Sequence, residues 1–345
     1  MPGQDHIGII RLSALGDVAM TVPVLRVLRT TYPELEITVI SRSFFKPFFD
    51  QIPDIHFIEA DVKGEHKGIP GLLKLATTIR QSGVTAVADL HDVIRSKILV
   101  TSLRSRGIKC AVIDKGRKEK KQLIKTKGGE LTPLISTHQR YADVFSQLGY
   151  TIDLNNHVYP EIMSLTPRLS NWIKQDGRKL IGVAPFAAYR SKTYPLDLMH
   201  QLLTELDQSS KYQVMLFGGG KQEASQLDAL ANGLDSVVSV AGRMTLSEEL
   251  MLISNLDLML AMDSGNGHLA AMFQLPVITL WGVTHPAAGF TPFGQPEDNQ
   301  LLSDREQFPL IPTSIYGNKY PEAYTEVMRS ISPDQVKKLI QKKLG

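Results

Sequence analysis

Two polar turns in opposite halves of the chain constrain its fold more than any other feature. The first, Arg11-Leu12-Ser13-Ala14-Leu15-Gly16-Asp17, follows the apolar run His6 to Ile10 and precedes a helical pattern over Val18 to Thr30. The second, Asp263-Ser264-Gly265-Asn266-Gly267-His268, follows the apolar run Leu258 to Met262. Strand, short turn with small residues and a carboxylate, then helix is the repeating unit of an open α/β sheet. Its turns lie at the carboxyl ends of the strands, where ligands bind. Two such turns predict one site built across a cleft between two α/β halves.

The alternation between them supports this. β-branched runs at Ile7–Leu12, Ile37–Ile40, Val84–Leu90 and Ile108–Ile113 read as buried strands, separated by helical patterns at Val18–Thr30, Gly71–Gln81 and Val93–Leu103. A further helix runs from Ser136 to Leu148, with Gly149 as its C-cap. The period is lost over Tyr150 to Pro167, which reads as a connection between domains. A second series follows, with strands at Leu180–Pro185, Tyr212–Phe217, Val237–Val240, Leu258–Met262 and Val277–Trp281. Its helices are Leu196–Leu206, Gln222–Ala231, Leu246–Asn255 and Gly267–Phe273, the third opened by the Thr245/Glu248 capping box. Strands alternating with helices imply parallel sheets covered on both faces. The expected domains are residues 1–160 and 161–325, with a basic amphipathic helix in 326–345 that packs back on the first.

A length of 345 residues fits about two domains. With 43% hydrophobic and 21% charged residues there is apolar mass for two cores, which excludes a disordered chain. One cysteine, Cys110, leaves no internal disulfide and no Cys/His zinc spacing. No basic stretch with a long apolar run opens the chain and no apolar segment approaches the ~20 residues that span a bilayer, so a cytoplasmic or peripherally attached protein is expected. A net charge of +3 is too small to point to nucleic acid. The charge is uneven, however: Lys115, Arg117, Lys118, Lys120, Lys121, Lys125 and Lys127 stand against one acid, Glu119. Such a segment is either a solvated loop or a contact for an anionic partner, a phosphorylated acceptor or an acidic membrane surface.

Common nucleotide signatures fail. Gly218-Gly219-Gly220-Lys221 follows a strand, but Gln222 stands where a P-loop needs Ser or Thr, and Glu223 stands where G-x-G-x-x-G needs its last glycine. Other residues remain open to two readings. Asp17 is either a proton acceptor for an attacking hydroxyl or a helix cap. The N–H groups of Ser264, Gly265 and Asn266 at a helix start suit a diphosphate, while Asp263 would repel phosphate and suits sugar hydroxyls. His268 is a donor to the ligand or a packed structural histidine. Lys192, in Ser191-Lys192-Thr193-Tyr194-Pro195, is a cation beside a strand's carboxyl end or an ordinary surface lysine. Glu223 holds ribose hydroxyls or is an exposed helix acid.

Taken in order, these segments resemble glycosyltransferase family 9, the ADP-heptose:lipopolysaccharide heptosyltransferases of Gram-negative bacteria. The resemblance rests on Arg11 to Val18 with Thr21-Val22-Pro23 and Leu25-Arg26, on Asp89-Leu90-His91, on Ser191 to Pro195, on Asp263 to Ala271 and on Trp281 to Pro286. It implies a GT-B fold of two facing Rossmann-like domains, acceptor on the first and nucleotide sugar on the second, and an inverting transfer that needs no metal and no cofactor beyond the donor. By that resemblance Asp17 is the base, and Lys192, Glu223, Asp263, Ser264, Gly265 and His268 bind the donor. Ser13, Gly16, His91, Lys118, Lys120 and Lys121 fall on the acceptor side. The implied donor is ADP-heptose, and the implied acceptor is a lipopolysaccharide core or related lipid-linked glycan at the inner face of the inner membrane. Val283 and His285 depart from the family's G-P-T-D/N-P pattern and bear on the donor's identity. Two other classes share the architecture: a nucleotide-sugar epimerase, which turns over without acceptor, and a non-catalytic nucleotide-sugar-binding protein.

Overall fold

A computed structural model describes residues 5–345. The chain divides into two compact α/β units. The first holds the residues up to Gly116 together with Ile135–Tyr159, and the second holds Arg117–Leu134 together with Pro160–Gly345.

In the first unit, β1 (His6–Ile10), β2 (Glu36–Ser41), β3 (Ile55–Glu59), β4 (Ala86–Asp89) and β5 (Lys109–Val112) form a sheet in the order β3-β2-β1-β4-β5. Every pairing is parallel, with Ile7 aligned to Ile37 on one side and to Ala86 on the other. Its helices are α1 (Leu15–Ala19), α2 (Thr21–Thr31), α3 (Gly68–Gln81), α4 (Ile94–Arg104) and α6 (Thr137–Leu148), while α5 (Arg117–Leu123), which precedes α6 in the chain, falls in the second unit. Leu72, Leu75 and Ile79 of α3 and Leu99 and Leu103 of α4 pack with Ile10, Ile40 and Val87 of the sheet. This sheet-facing set recurs every three or four residues, the spacing that keeps one side of a helix on the core. Gly149 ends α6 in the left-handed conformation, φ 107°, and its N–H returns to the carbonyls of Phe145 and Ser146. The pattern read as one helix over Val18–Thr30 is two, α1 and α2, divided at Met20.

The second unit has six parallel strands in the order β11-β10-β9-β6-β7-β8: β6 (Lys179–Ala184), β7 (Tyr212–Leu216), β8 (Val237–Ser239), β9 (Leu258–Met262), β10 (Val277–Trp281) and β11 (Gln300–Leu302). Its helices are α7 (Pro167–Ser170), α8 (Leu196–Gln208), α9 (Gly220–Ala231), α10 (Leu246–Ser254), α11 (Gly265–Ala271) and α12 (Pro333–Leu344). Of the inner strands, β7, β9 and β10 are buried along their whole length and β6 from Leu180 onward, as expected of parallel strands covered on both faces.

Two placements differ from the sequence reading. Helix α12 belongs to the second unit and not to the first. Val336 and Ile340 enter the core with Leu202 and Leu206 of α8, and Lys337 Nζ pairs with Glu205 at 2.6 Å. The basic segment also belongs to the second unit. Leu123 and Leu131 pack with Ala287 and Ala288, Leu134 N–H donates to the Ala287 carbonyl at 2.9 Å, and Gly128 N–H donates to the Pro309 carbonyl at 2.9 Å. The acceptor-side assignment of Lys118, Lys120 and Lys121 therefore does not follow from membership of the first unit. Apolar residues flanking the charges decide where this segment folds.

Ile340 is fully buried, so Ile340→Ala should lower the stability of the chain by about 2–4 kcal/mol in urea unfolding. A loss under about 0.5 kcal/mol would mean that α12 is not part of the core.

Candidate functional site

The strand order of each sheet brings particular turns together. In the first unit β1 lies between β2 and β4, so the chain leaves β1 in one direction and β4 in the other. This reversal opens a crevice at the strands' carboxyl ends. The turns that meet there are Arg11 to Asp17, after β1, and Leu90 to Val93, after β4. Ser13 Oγ and His91 Nε2 consequently lie 3.4 Å apart, although 78 residues separate them. Arg11, 6% exposed, donates through Nη1 to the Leu90 carbonyl at 2.6 Å and through Nη2 to Asp17 Oδ2 at 2.6 Å.

Asp17 stands in the first turn of α1, beside Gly16, and is one-third exposed. Its Oδ2 also accepts from Ala14 N–H at 3.3 Å, so the carboxylate does act on the helix start. Both contacts fall on Oδ2, which leaves Oδ1 for a further partner. Tyr141 of α6, fully buried, supports the turn by donating its hydroxyl to the Asp17 carbonyl at 3.2 Å. Arg11 was not singled out as a site residue in the sequence. Its signal is a cation at the end of a buried strand, six residues ahead of a carboxylate in the same turn.

Below this, the buried carboxylate Asp89 fixes the β4 turn. Its Oδ1 accepts from His91 N–H at 2.9 Å and from Asp92 N–H at 3.1 Å, holding Asp92 in the left-handed region at φ 45°. Burial pushes the Asp89 carboxyl up, against the pull of these donors. Burial, then the nearby Arg11 and Lys115 cations, lowers the His91 imidazole to about 3, so it is neutral throughout the physiological range.

The second unit repeats the device. There β6 lies between β9 and β7, and the turns after β6 and β9 meet. Lys192, in the turn Arg190–Lys192, donates through Nζ to the Asp263 carbonyl at 2.7 Å and to Asp263 Oδ2 at 3.1 Å. Thr284, after β10, donates its hydroxyl to the same Oδ2 at 2.8 Å. Lys192 is 8% exposed and is therefore a built-in cation and not a surface lysine. Two glycines make its room. A Cβ on Gly282 would meet the Ser191 carbonyl oxygen at 2.1 Å, and one on Gly317 would meet Lys192 Cγ at 2.8 Å. Gly317 also holds φ 84°, which glycine adopts without strain. Two of the three Lys192 N–H bonds are used on Asp263, and the third remains to be given.

Helix α11 begins at Gly265, two residues earlier than its sequence pattern suggests, with Ser264 as N-cap. Ser264 Oγ makes no cap bond and is buried without a hydrogen-bond partner among the described residues. The turn's outward donors are thus the backbone N–H groups of the first helical turn, which have no partners inside a helix. His268 is buried within α11. Asp263, read as a sugar ligand, spends Oδ2 on Lys192 and Thr284. Thr284 had no signal beyond the departure from the family pattern on either side of it. Glu223, in the first turn of α9, accepts from Gly219 N–H through Oε2 at 2.7 Å and lines a cavity of about 660 Å³ with Phe186, Tyr194 and Gln226. His285 is lowered to about 4 by burial and by Arg305, and its Nδ1 accepts from Ala287 N–H at 3.1 Å. No group of three or more His, Cys, Asp or Glu side chains among the described residues is placed to hold a metal ion.

Within the basic segment, Lys120 is 8% exposed and its ammonium lies 4.3 Å from the centre of the Phe290 ring. It anchors α5 through a cation–π contact. Of the three lysines expected on the acceptor side, Lys120 is thus buried against the ring, whereas Lys118 and Lys121 stay exposed.

Two α/β units of all-parallel strands, each with a polar crevice at its switch point, have the architecture of the GT-B fold. Residues 72–312 match the model of glycosyltransferase family 9 (heptosyltransferase), and the chain belongs to that family. Lipopolysaccharide heptosyltransferase 3 of Escherichia coli (strain K12) is 25% identical over 278 residues, 78% of this chain and 80% of that protein. Among solved structures, the family 9 glycosyl transferase from Veillonella parvula DSM 2008 aligns with a TM-score of 0.75 at 21% identity, covering 100% of this chain and 98% of that one. The E. coli heptosyltransferase WaaC, solved with ADP-2-deoxy-2-fluoro heptose, aligns with a TM-score of 0.65 at 18% identity, covering 98% and 99%.

Two outcomes follow from this geometry. Gly282→Ala should cost about 1–3 kcal/mol, because its methyl group meets backbone that cannot turn aside; a thermal melt unchanged from the parent would show that the Ser191 turn yields freely. His91 is also linked to acid stability. Its folded value lies below the ordinary 6.5, so the unfolded chain takes up the proton first. The stabilisation is complete above about pH 6.5 and is lost as pH falls toward 3, by up to about 1.4 kcal/mol per pH unit. His91→Asn should flatten the fall in urea midpoint between about pH 6.5 and 4.5. An identical acid profile in the variant would remove His91 from this linkage.

Proposed function

We propose that this glycosyltransferase moves a heptose from ADP-heptose to a phosphorylated sugar of a lipopolysaccharide core or related lipid-linked glycan, inverting the anomeric centre without a metal ion. The observation that carries this reading is the caged Lys192, a buried ammonium with one N–H to give beside the first turn of α11. The name of the E. coli relative and the donor analogue held by WaaC support the sugar and the nucleotide.

In this scheme Asp17 Oδ1 takes the proton of an acceptor hydroxyl, whose oxygen attacks the anomeric carbon. The bond from that carbon to the diphosphate oxygen breaks on the opposite side, and its electron pair leaves with ADP. Lys192 and the first N–H groups of α11 neutralise the departing charge, as preorganised donors do without rearranging. Asp263 holds Lys192 in place, its Oδ1 is left for a donor hydroxyl, and His268 is a further contact. Glu223 Oε1 meets the ribose. Ser13, Gly16 and His91 shape the acceptor side. The neutral His91 adds no positive charge beside Asp17. Lys118 and Lys121 offer exposed cations to acceptor phosphates, with the protein working at the inner face of the inner membrane.

Asp17→Asn should keep donor affinity and lose about 10²–10⁴-fold in kcat, the usual worth of a positioned base. A loss under about tenfold would return Asp17 to a capping role. Activity should survive EDTA; abolition restored by Mg²⁺ or Mn²⁺ would end the metal-free scheme. Turnover of the nucleotide sugar alone, with epimerised product and no acceptor, would favour the epimerase. Lys118→Gln with Lys121→Gln should raise the KM for a phosphorylated acceptor several-fold, whereas Lys120→Gln should lower stability by about 0.5–2 kcal/mol through the lost Phe290 contact. Equal acceptor KM in the double variant would make α5 a solvated face.

A further inference from the structure

We infer that the outward seam between α3 and α4 is a docking surface for an anionic lipid bilayer. This rests on the placement at the inner membrane face proposed above, names the surface that would make the contact, and uses none of the residues assigned to the transfer. Both helices turn one side to the core, yet each also carries large aliphatic side chains on the side away from it. On α3, Ile69 is 61% exposed and Leu73 42%, four residues apart and therefore on one stripe. On α4, Ile94 is 79% exposed, and Ile98 follows one turn later, half-buried. Between the helices runs a groove in two connected parts of about 450 and 510 Å³, with Ile94 and Ile98 lining both. Isolated exposed aliphatics are ordinary, but a continuous apolar seam on a soluble face marks an interaction site.

The charges around it name the partner. Asp61 turns its carboxylate into its own loop, accepting from the N–H groups of Gly64 and Glu65. Glu65 is taken by Lys74 at 2.5 Å, and Lys97 lies 3.4 Å from Asp92. Lys63, Lys67 and Arg95 line the same groove and make no ion pair among the described residues. An apolar seam ringed by unspent cations complements lipid phosphates over acyl chains: the aliphatics enter the headgroup boundary, and the long cationic side chains reach the phosphates. A second copy of the chain is a poor occupant, because a two-fold contact sets each patch against itself and brings like charges together.

The test is flotation of the full chain with vesicles of phosphatidylcholine, alone or mixed with phosphatidylglycerol. The parent should bind the anionic vesicles and not the neutral ones, with binding that weakens as salt rises. Leu73→Glu with Ile94→Glu, and separately Lys63→Glu with Lys67→Glu and Arg95→Glu, should each weaken binding at least tenfold. All positions except the half-buried seam floor are on the surface, so melting temperatures should match the parent's. Transfer to a short water-soluble acceptor should be unchanged in both variants, which separates failure of this inference from failure of the transfer reaction. Parent-like vesicle binding by either variant overturns the inference, as does equal binding to neutral vesicles or no binding by the parent. A concentration-dependent dimer that dissociates in the Leu73→Glu, Ile94→Glu variant would assign the face to a second copy and also overturn it.

Discussion

The candidate site in each unit depends on where strand order reverses in a parallel sheet. A crossover between parallel strands is right-handed, so helices cover one face while the chain winds outward one way and the other face when it winds back. The two turns on either side of the reversal are the ones no helix covers. In the first unit they are the turns after β1 and β4, and in the second those after β6 and β9. Residues far apart in the chain become neighbours for no other reason: Ser13 with His91, and Lys192 with Asp263.

Each unit places one nearly buried cation at this point and ties it to a carboxylate, but the two pairs differ in a way that suits different work. Arg11 is spent on a carbonyl and on Asp17, in a planar fork that fixes a direction. It leaves the carboxylate one-third exposed, so the acid is the group offered. Lys192 reverses the roles: Asp263 is nearly buried and further held by Thr284, and the ammonium keeps a proton to give. Burying an ion pair costs desolvation that its attraction seldom repays. Here the arrangement holds one charge still while leaving it a valence.

The alternation of strands and helices, both polar turns, the capping box at Thr245 and the Gly149 cap were legible because each is local. What escaped has physical reasons. Strand β3 is a half-buried edge strand of alternating polarity behind Pro53-Asp54, and β11 has three residues. Helix α5 hides because five of its first residues are Arg, Lys, Glu, Lys and Lys, a composition that reads as a solvated loop. Whether Lys120 is solvated depends on Phe290, far away in sequence. The cage of Lys192 depends likewise on Gly282, Thr284 and Gly317, none of which announces a lysine. Local pattern gives the elements and the turns; which distant side chain closes on a charge is decided by packing.

The seating of Arg117–Leu134 on the second unit has a consequence for how this chain can be divided. The polypeptide passes from one unit to the other three times, at Gly116, at Leu134 and at Tyr159. Neither unit is therefore a contiguous stretch of sequence. A fragment starting at Pro160 would lack the strap that covers Ala287 and Ala288, and a fragment ending at Tyr159 would carry Leu123 and Leu131 with no core to enter. In gene-level terms the halves are not interchangeable cassettes. Grafting the second unit of a relative onto this first unit means exchanging residues 117–134 along with it, or leaving two apolar surfaces mismatched within one chain.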